Sequence, residues 1–251
     1  MEYELIARNP ARGRRRRLRT LTPYRSWLDR ADHIAALLDA AGELDREARV
    51  GRRQRRAILA TLVFAGLRIG DALSLQWCDV DLPRGTITIR ASKTPAGVRD
   101  VNLLGALRDE LAEQWARFAP ARDAFVFATS NGTRQDESTV RRRVLARAVA
   151  RANAKLRGEG TEPLPDRLTP HSLRRTFASL LFALDEPPPY LMAQLGHTTA
   201  NLTLTIYARQ MNRRNGEAER LRALAGCERS TVTPSRSALP PRGLSSARLE
   251  F

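Results

Sequence analysis

The sequence has only two cysteines and no long apolar run, which argues against a metal- or redox-active cysteine motif and against a membrane-spanning helix. No stretch approaches the roughly 20 apolar residues that a helix needs to span a bilayer. The N-terminus carries arginine but lacks the apolar segment of a secretory signal peptide. The two cysteines, Cys78 and Cys227, form no metal-binding or redox motif. We therefore expect a cytoplasmic protein that does not bind a membrane.

Acidic residues are also scarce relative to basic ones. The 251 residues include 43 Lys and Arg against 27 Asp and Glu, which gives a formal net charge of +16 at pH 7. This excess favours a polyanionic partner, and few of the cations are lysine. Arginine can bind phosphate through two parallel hydrogen bonds, which lysine cannot do. The length suffices for one sizeable domain, or two small ones, with a real core.

Apolar periodicity is missing at both ends of the chain. Residues 1–23 contain an arginine-rich run, which is typical of a flexible basic arm that can also follow a nucleic-acid backbone. The candidate DNA-binding residues of this arm are Arg14, Arg15, Arg16 and Arg17. Residues 227–251 are rich in Ser, Pro and Arg, and we expect a disordered tail there. The pattern of a folded domain is confined to residues 24–226.

The pattern of this central segment is typical of a mainly α protein with a small antiparallel β-sheet, an α+β fold. Helical periodicity recurs in stretches that begin near Trp27, Arg52, Ala72, Ser138, Pro170, Tyr190 and Glu217. The first helix is predicted to end at Gly42, and the second is predicted to be central to the core. Alternation at residues 86–90 and 98–103 predicts the two strands of a hairpin. Residues 125–127 could add a third strand.

The stretch 169–184 predicts a helix with polar chemistry in its first turn and apolar residues behind it. Thr169 suits the N-cap and Pro170 suits the first helical position, where its missing N–H is not needed. His171 and Arg174 lie three residues apart and therefore share one face of that turn. Unpaired backbone N–H groups and the positive end of the helix dipole lie there too, and together these groups suit a phosphate. An ordinary amphipathic helix with a basic rim is the alternative.

Further candidate residues lie at predicted element ends and turns, where functional groups are often displayed. Arg68 follows the second helix, and Asp71 is close enough in sequence to hold its guanidinium. Lys93 lies at the hairpin tip, His197 follows a glycine at a helix end, and Tyr207 is on a later helix. Taken singly, each also fits a structural role, such as a helix-dipole partner, a solvated turn residue or a half-buried core residue.

Taken together and in order, these positions resemble the motifs of the tyrosine recombinases, the phage integrase family. Residues 65–75 resemble the first arginine box of that family, and residues 171–178 resemble the second. Residues 194–197, with Tyr207 ten residues beyond them, resemble the third box and its nucleophile. Lys93 matches the hairpin lysine. The resemblance covers most of the chain and implies the catalytic core of DNA breaking and rejoining enzymes.

The sequence departs from the family pattern in three respects. Asp71 stands where the family usually has Glu, and this shorter carboxylate can still orient Arg68. Ser172 stands where Asp or Gly is common, and we expect no consequence. Family members usually carry a helical core-binding domain before the catalytic domain, whereas only the basic arm precedes it here. The arm resembles the linker that normally follows such a domain. A truncated gene, a mis-called start and a minimal form are alternatives that stay open.

The resemblance implies that Tyr207 attacks a DNA phosphodiester and forms a 3′-phosphotyrosyl bond, which stores the bond energy so that rejoining needs no ATP. His171 would act as the base, since tyrosine has an unperturbed pKa of about 10. Arg68 and Arg174 would bind the non-bridging oxygens as charge develops, and Lys93 would protonate the leaving 5′ oxygen. The two guanidiniums supply the positive charge, so no metal ion or other cofactor is expected.

Other residues are candidate contacts to DNA, and of these the resemblance implies only His197. His197 would donate a hydrogen bond to the reacting phosphate, and Arg175 is a further candidate contact. Arg141, Arg142 and Arg143 follow one another on a predicted helix, so they cannot share one face. We expect at least one of them to contact a DNA phosphate, which positions the protein without reading the base sequence.

The implied function is site-specific recombination, such as integration or excision of a mobile element. The implied partner is double-stranded DNA, bound by a homotetramer, with accessory DNA-bending or directionality factors as further candidates. Two alternatives stay open. One is a truncated, non-catalytic DNA-binding remnant, and the other is a type IB topoisomerase, which acts as a monomer without a specific site. The helix predicted at 217–225 could dock on a neighbouring protomer.

Overall fold

The fold is a set of helices around one small sheet. The computed structural model describes residues 26–48, 54–90, 97–165, 167–196 and 216–226. The predicted mainly α fold with a small antiparallel sheet is confirmed within these residues. None of the helices described there combines the length and the apolar character needed to cross a bilayer. Several predictions lie outside the described residues, namely those for the arm 1–23, Lys93, His197, Tyr207 and the tail 227–251.

The helices account for most of the described chain. They are α1 (Ala31–Arg46), α2 (Arg55–Phe64), α3 (Ile69–Leu73), α4 (Gly105–Phe118), α5 (Glu137–Thr139), α6 (Ala146–Gly158), α7 (Pro170–Ala183), α8 (Pro188–Leu195) and α9 (Glu217–Leu224). A π-helical turn, Val140–Leu145, joins α5 to α6, and a 3₁₀ turn, Trp77–Asp79, precedes the sheet. The helix predicted from Ser138 is therefore confirmed, with a π-helical turn near its start.

The sheet confirms the predicted hairpin and corrects the predicted third strand. Its strands are β1 (Val80–Asp81), β2 (Thr86–Ile89) and β3 (Arg99–Asn102), in that spatial order and antiparallel. Ile87 pairs with Val101, and both side chains are buried. The strand predicted at 125–127 is wrong, because Phe125 makes only an isolated bridge with Gln76. The short strand β1 completes the sheet instead.

Helix α2 lies at the centre of the core, as its apolar circumference predicts. Residues 57–64 are all buried, and the helix packs against α1, α4 and α7. Leu173 and Leu180 join α7 to this core. Phe177 and Leu181 of α7 belong to a second apolar cluster, which α8 shares. Helix α7 is therefore held between α2 and α8, and this arrangement positions the site described below.

Two helices differ from the prediction. Helix α1 continues through Gly42, because Leu44 beyond the glycine is buried and extends the apolar face of the helix. Helix α4 has no counterpart among the predicted helices. Its buried residues are only Leu107, Leu111 and Gln114, which is too few to give a strong periodic signal.

Helix α9 packs against its own chain. Leu221 and Ala225 are buried, and the helix contacts α1 and α7. Glu217 Oε1 accepts a hydrogen bond from the backbone N–H of Ala31 at 2.7 Å, at the start of α1. The N–H of Ala106 in α4 donates to the carbonyl of Ala225 at 3.1 Å. Helix α9, which could dock on a neighbouring protomer, lies against its own domain in this structure, and docking on a neighbour stays a hypothesis.

Candidate active site

Helix α7 begins with the cap that the sequence predicts. Thr169 Oγ1 accepts a hydrogen bond from the backbone N–H of Ser172 at 3.1 Å, and the N–H of Thr169 donates to Ser172 Oγ at 3.2 Å. Pro170 occupies the first turn of the helix. This reciprocal capping box fixes the start of α7. It also gives Ser172, which departs from the family pattern, a structural role.

Arg174 is buried behind this first turn, with 2% of its surface exposed. Its Nη1 donates a hydrogen bond to the carbonyl of Gly66, which follows α2, and its Nη2 donates to the carbonyl of Leu195 at the end of α8. The negative end of a helix dipole favours a cation at such a position. The guanidinium of Arg174 therefore joins the carboxyl ends of two helices.

The turn after α2 lies directly against α7 at Gly66. This residue has a φ of +58°, and a Cβ atom built there would lie 2.3 Å from Cδ1 of Phe177. The left-handed backbone and the close contact both require a residue without a side chain. The glycine thus lets the turn approach α7 closely enough for its carbonyl to bond Arg174.

Arg68 lies immediately before α3, beside a carboxylate. Its Nη1 is 3.6 Å from Oδ2 of Asp71, and the side chains of the two residues are 34% and 9% exposed. Its Nη2 lies 3.5 Å from the carbonyl oxygen of Gly196. The guanidinium is therefore restrained from two sides while part of it remains accessible to a ligand.

A third arginine, Arg99, belongs to the same group and was missed by the sequence analysis. Its Nε donates to the carbonyl of Gln194 at 2.7 Å, and its Nη1 donates to the carbonyl of Gly97 at 2.7 Å. Arg99 lies on the same face of β3 as the buried Val101, because alternate residues of a strand share a face. An arginine at an inward-facing strand position was the signal that could have revealed it.

The three guanidiniums bring together more positive charge than Asp71 beside them offsets. Burial, followed by the charges of Arg68 and Arg99, lowers the pKa of Arg174 to about 9, and Asp71 opposes this shift. Burial also lowers the pKa of Arg99, with Asp71 opposing the shift and Arg68 adding to it. An anion bound among these side chains would favour their charged forms. The site is therefore electrostatically suited to a phosphate.

His171 and Arg174 differ in exposure although they lie three residues apart. His171 is exposed on the first turn of α7, whereas Arg174 is buried in the domain. Arg175, the next residue, is half-buried. A ligand that approaches the N-terminus of α7 would therefore meet the imidazole from the solvent side and the guanidinium from the protein side.

The consecutive arginines of the π-helical turn have different surroundings. All three are exposed, and Arg141 Nη2 lies 3.7 Å from Glu137 Oε2. Arg142 Nη2 donates to Ser138 Oγ at 3.4 Å. Arg143 instead lines a cavity of about 280 Å³ beside the start of α2. The three arginines therefore differ in their contacts, and which of them contacts DNA stays a prediction.

The remaining predicted site residues lie outside the described part of the chain. They are Arg14, Arg15, Arg16, Arg17, Lys93, His197 and Tyr207. The elements next to some of them are described, since β2 and β3 flank the segment with Lys93 and Gly196 precedes His197. Within residues 26–48, 54–90, 97–165, 167–196 and 216–226, no group of three or more His, Cys, Asp and Glu side chains could hold a metal ion.

Comparison with known proteins supports the resemblance seen in the motifs. The sequence matches the phage integrase family over residues 30–214. It is 29% identical over 185 residues to the prophage integrase IntR of Escherichia coli, across 62% of this chain and 43% of that protein. It is 31% identical over 175 residues to the tyrosine recombinase XerC of Rhodospirillum centenum, across 69% of this chain and 47% of that protein.

Solved structures show the same fold. The Tn1549 transposon integrase in complex with transposon right end DNA superposes with a TM-score of 0.58 and 21% identity, across 76% of this chain and 64% of that chain. The chain therefore belongs to the phage integrase family and has the fold of a tyrosine recombinase catalytic domain. It spans about half the length of the two relatives, at 43% and 47%.

Proposed function

We propose that this chain is a site-specific DNA recombinase that cleaves and rejoins DNA strands through Tyr207. The observation that carries the proposal is the cluster of Arg68, Arg99 and Arg174 at the end of α8, beside Asp71. Such a cluster of restrained cations suits a phosphate. Family membership supports the reaction class, since the similar proteins are named as integrases and tyrosine recombinases.

Arg68 and Arg174 would bind the non-bridging oxygens of the scissile phosphate. Arg68 is partly exposed and restrained by Asp71, so it would lose little side-chain freedom on binding. Arg174 is buried and held by two carbonyl groups, and charge interactions are stronger in such a low-dielectric environment. Because both cations are already in place, little reorganisation would be needed as negative charge develops on the phosphate.

Tyr207 would attack the phosphorus and displace the 5′ oxygen, which leaves a 3′-phosphotyrosyl bond and a free 5′-hydroxyl. His171, exposed at the start of α7, would accept the tyrosine proton. Lys93 would donate a proton to the leaving oxygen, and His197 would donate a hydrogen bond to the phosphate. Attack of a 5′-hydroxyl on the phosphotyrosine reverses these steps, so the reaction would need neither ATP nor a metal ion.

The proposed partner is double-stranded DNA at a recombination site, bound in the cytoplasm by a homotetramer. The net charge of +16 supports a polyanionic partner. The proposed contacts to DNA phosphates are Arg14, Arg15, Arg16, Arg17, Arg141, Arg142, Arg143 and Arg175. Integration or excision of a mobile element is the proposed role, with accessory DNA-bending or directionality factors as further partners.

Covalent trapping tests the nucleophile directly. Wild-type protein and Tyr207→Phe would be incubated with nicked duplexes from the ends of the protein's own genetic element, with EDTA and without ATP, and then denatured. We expect a DNA-linked protein band with wild type and none with Tyr207→Phe, because only the tyrosine hydroxyl can form the ester. Tyr3→Phe removes a tyrosine that the proposal does not use and should retain the band.

Two other results, one from this DNA and one from plasmid DNA, would contradict the proposal. A clear gel shift on this DNA without any adduct would favour a DNA-binding remnant. Relaxation of supercoiled plasmids that lack the site, by a monomer, would favour an activity like that of type IB topoisomerases. Cross-linking on DNA separates the recombinase from a type IB topoisomerase, since a tetrameric synapse is expected of the recombinase and a monomer of the topoisomerase.

A further inference from the structure

The carboxyl end of α8 gathers the arginines of the candidate site. Three consecutive carbonyl groups there each accept a hydrogen bond from a different arginine side chain. The pairs are Gln194 O with Arg99 Nε at 2.7 Å, Leu195 O with Arg174 Nη2, and Gly196 O with Arg68 Nη2 at 3.5 Å. The last carbonyls of a helix have no partner within the helix and carry the negative end of its dipole. The end of α8 is therefore a common anchor for cations from distant parts of the chain.

We propose that Arg99 is a positioning residue of the recombinase, which fixes the carboxyl end of α8 to the β2–β3 hairpin so that the carbonyls holding Arg68 and Arg174 stay in place. This inference rests on the function proposed above and deepens it. Arg99 is not among the positions matched to the family's motifs above, which are the segments 65–75, 171–178 and 194–197 with Lys93 and Tyr207. Its role here requires no contact with DNA.

The hydrogen bonds of Arg99 are suited to this role. Its side chain spans from the carbonyl of Gly97, two residues before β3 begins, to the carbonyl of Gln194, and both distances are 2.7 Å. The contact of Arg68 with Gly196 is much longer, at 3.5 Å, and hydrogen bonds weaken at such distances. Arg99 is therefore better placed than Arg68 to hold the end of α8.

Helix α8 also contacts β3 independently of Arg99, near its start through Tyr190 and near its end through the side chain of Gln194. The backbone N–H of Asn102 donates to Gln194 Oε1 at 2.8 Å, and Asn102 Nδ2 donates to the hydroxyl of Tyr190 at 2.9 Å. Leu191 and Leu195 are buried in the apolar cluster shared with α7. Loss of Arg99 should therefore loosen the end of α8 without detaching the helix.

Burying the guanidinium of Arg99 at this position costs free energy that a residue serving only to fill space would not need to overcome. Its Nη2 is buried and has no hydrogen-bond partner among the described residues, which costs free energy. Burial lowers the pKa of Arg99 and so opposes its cationic form; Asp71 offsets this only in part, and the charge of Arg68 adds to it. An aliphatic side chain would avoid both costs, so the arginine at this position indicates a use for its hydrogen bonds.

The anchor also joins two reactive segments of the chain. Lys93 lies in the connection between β2 and β3, and His197 directly follows Gly196. By binding Gln194, Arg99 links the hairpin to the helix that leads to His197. Displacement of reacting groups by about 1 Å can lower a rate by about 100-fold. A loosened α8 should therefore slow cleavage more than it weakens DNA binding.

Single-turnover cleavage of a nicked duplex tests this expectation. With saturating protein, Arg99→Met should form the covalent adduct about 10- to 100-fold more slowly than wild type, while the dissociation constant for the same DNA changes by less than about threefold. Arg99→Lys retains the charge but lacks the planar fork that spans two carbonyls. Its cleavage rate should therefore lie between those of wild type and Arg99→Met. Arg117→Met, which removes an exposed arginine of α4, should cleave at the wild-type rate.

A double-mutant cycle separates positioning from a general loss of stability. Because Arg99 is proposed to act through the placement of Arg68, Arg99→Met should cost less in an Arg68→Lys background than in wild type. Losses that simply multiply would contradict the proposal. A lower melting temperature together with a rate loss that disappears when the assay is cooled would also contradict it, because this pattern indicates a general loss of stability.

A readout that needs no cleavage keeps this inference distinct from the proposed function. Hydrogen exchange of the segment 191–196 should be faster in Arg99→Met than in wild type, while exchange in α2 stays unchanged. If wild type forms no adduct but this difference is seen, the proposed function fails and the anchor remains. Unchanged exchange in segment 191–196 would overturn the anchor whether or not the protein cleaves DNA.

Discussion

The guanidinium of Arg174 is buried, and the charges of Arg68 and Arg99 lie close enough to lower its pKa. Placing like charges together in a low-dielectric environment is unfavourable unless an opposite charge is added. Asp71 supplies part of that charge. At the scale of single residues, the site should therefore bind an anion even in the absence of DNA.

Sulfate, a tetrahedral dianion, should raise the melting temperature of the wild-type protein in a saturable way at constant ionic strength. A ligand at about 100 times its Kd adds about 2.7 kcal/mol of stability. Arg68→Met should lose most of this gain, because it removes the accessible cation of the cluster. Arg117→Met is a matched control, since the two arginine side chains are 34% and 41% exposed.

Thermal unfolding followed by circular dichroism would give these melting temperatures. Sulfate also stabilises proteins generally because it is excluded from their surfaces. An equal rise for wild type, Arg68→Met and Arg117→Met would show this general effect only and would contradict a specific anion site.

The residues of the site differ in how far the sequence could reveal them. Arg68, Arg174 and Asp71 lie in motifs whose order along the chain resembles that of the phage integrase family, and this resemblance implies a phosphate site. Arg99 gives only a weak signal, its inward-facing position on β3, because its partners are the main-chain carbonyls of Gly97 and Gln194. Every residue has a main-chain carbonyl, so the types of the residues at the acceptor positions do not reveal the contact.

At the scale of elements, the approach of the α2–α3 turn to α7 decides where Arg174 can bond. Gly66→Ala should lower the free energy of unfolding by about 3 kcal/mol, from backbone strain together with overpacking against Phe177. Gly85→Ala is the matched control, because Gly85 has a φ of +67° but nothing lies within 4 Å of a Cβ atom built there. It should cost only about 1 kcal/mol.

Urea unfolding would measure both free energies. Equal losses for Gly66→Ala and Gly85→Ala would mean that backbone strain alone matters and that the contact with Phe177 does not. Gly66→Ala should also slow formation of the DNA adduct, because the carbonyl that holds Arg174 must move.

The elements also show which parts of the fold a sequence can reveal. Helix α7 was predictable because its cap, formed by Thr169 and Ser172, is a local interaction. Strand β1 contains only Val80 and Asp81, which is too short for an alternating pattern to be recognised. It becomes a strand through its pairing with β2, which is a tertiary contact.

At the scale of the whole molecule, the net charge of +16 predicts that DNA affinity depends strongly on salt. Each neutralised phosphate contributes about −0.9 to the slope of log Kobs against log[salt]. Replacing Arg14, Arg15, Arg16 and Arg17 by glutamine should make the slope less negative by about 0.9 for every phosphate that the arm no longer neutralises. Fluorescence anisotropy at several salt concentrations would measure it.

Arg108→Gln and Arg117→Gln remove exposed arginines of α4 and serve as controls for the change in net charge. We expect their slopes to match that of wild type. A slope that depends only on the number of charges removed, wherever they lie, would contradict a role for the basic arm in binding DNA.

The docking of α9 on its own domain also fixes one end of the connection that precedes this helix. Residues 197–215, which include Tyr207, connect Gly196 to Gly216. Gly196 lies beside Arg68, and α9 is tied to α1 and α4. The two ends of a connection limit the volume that its residues can reach. Release of α9 would remove one of these two fixed ends without altering a single atom of the arginine cluster.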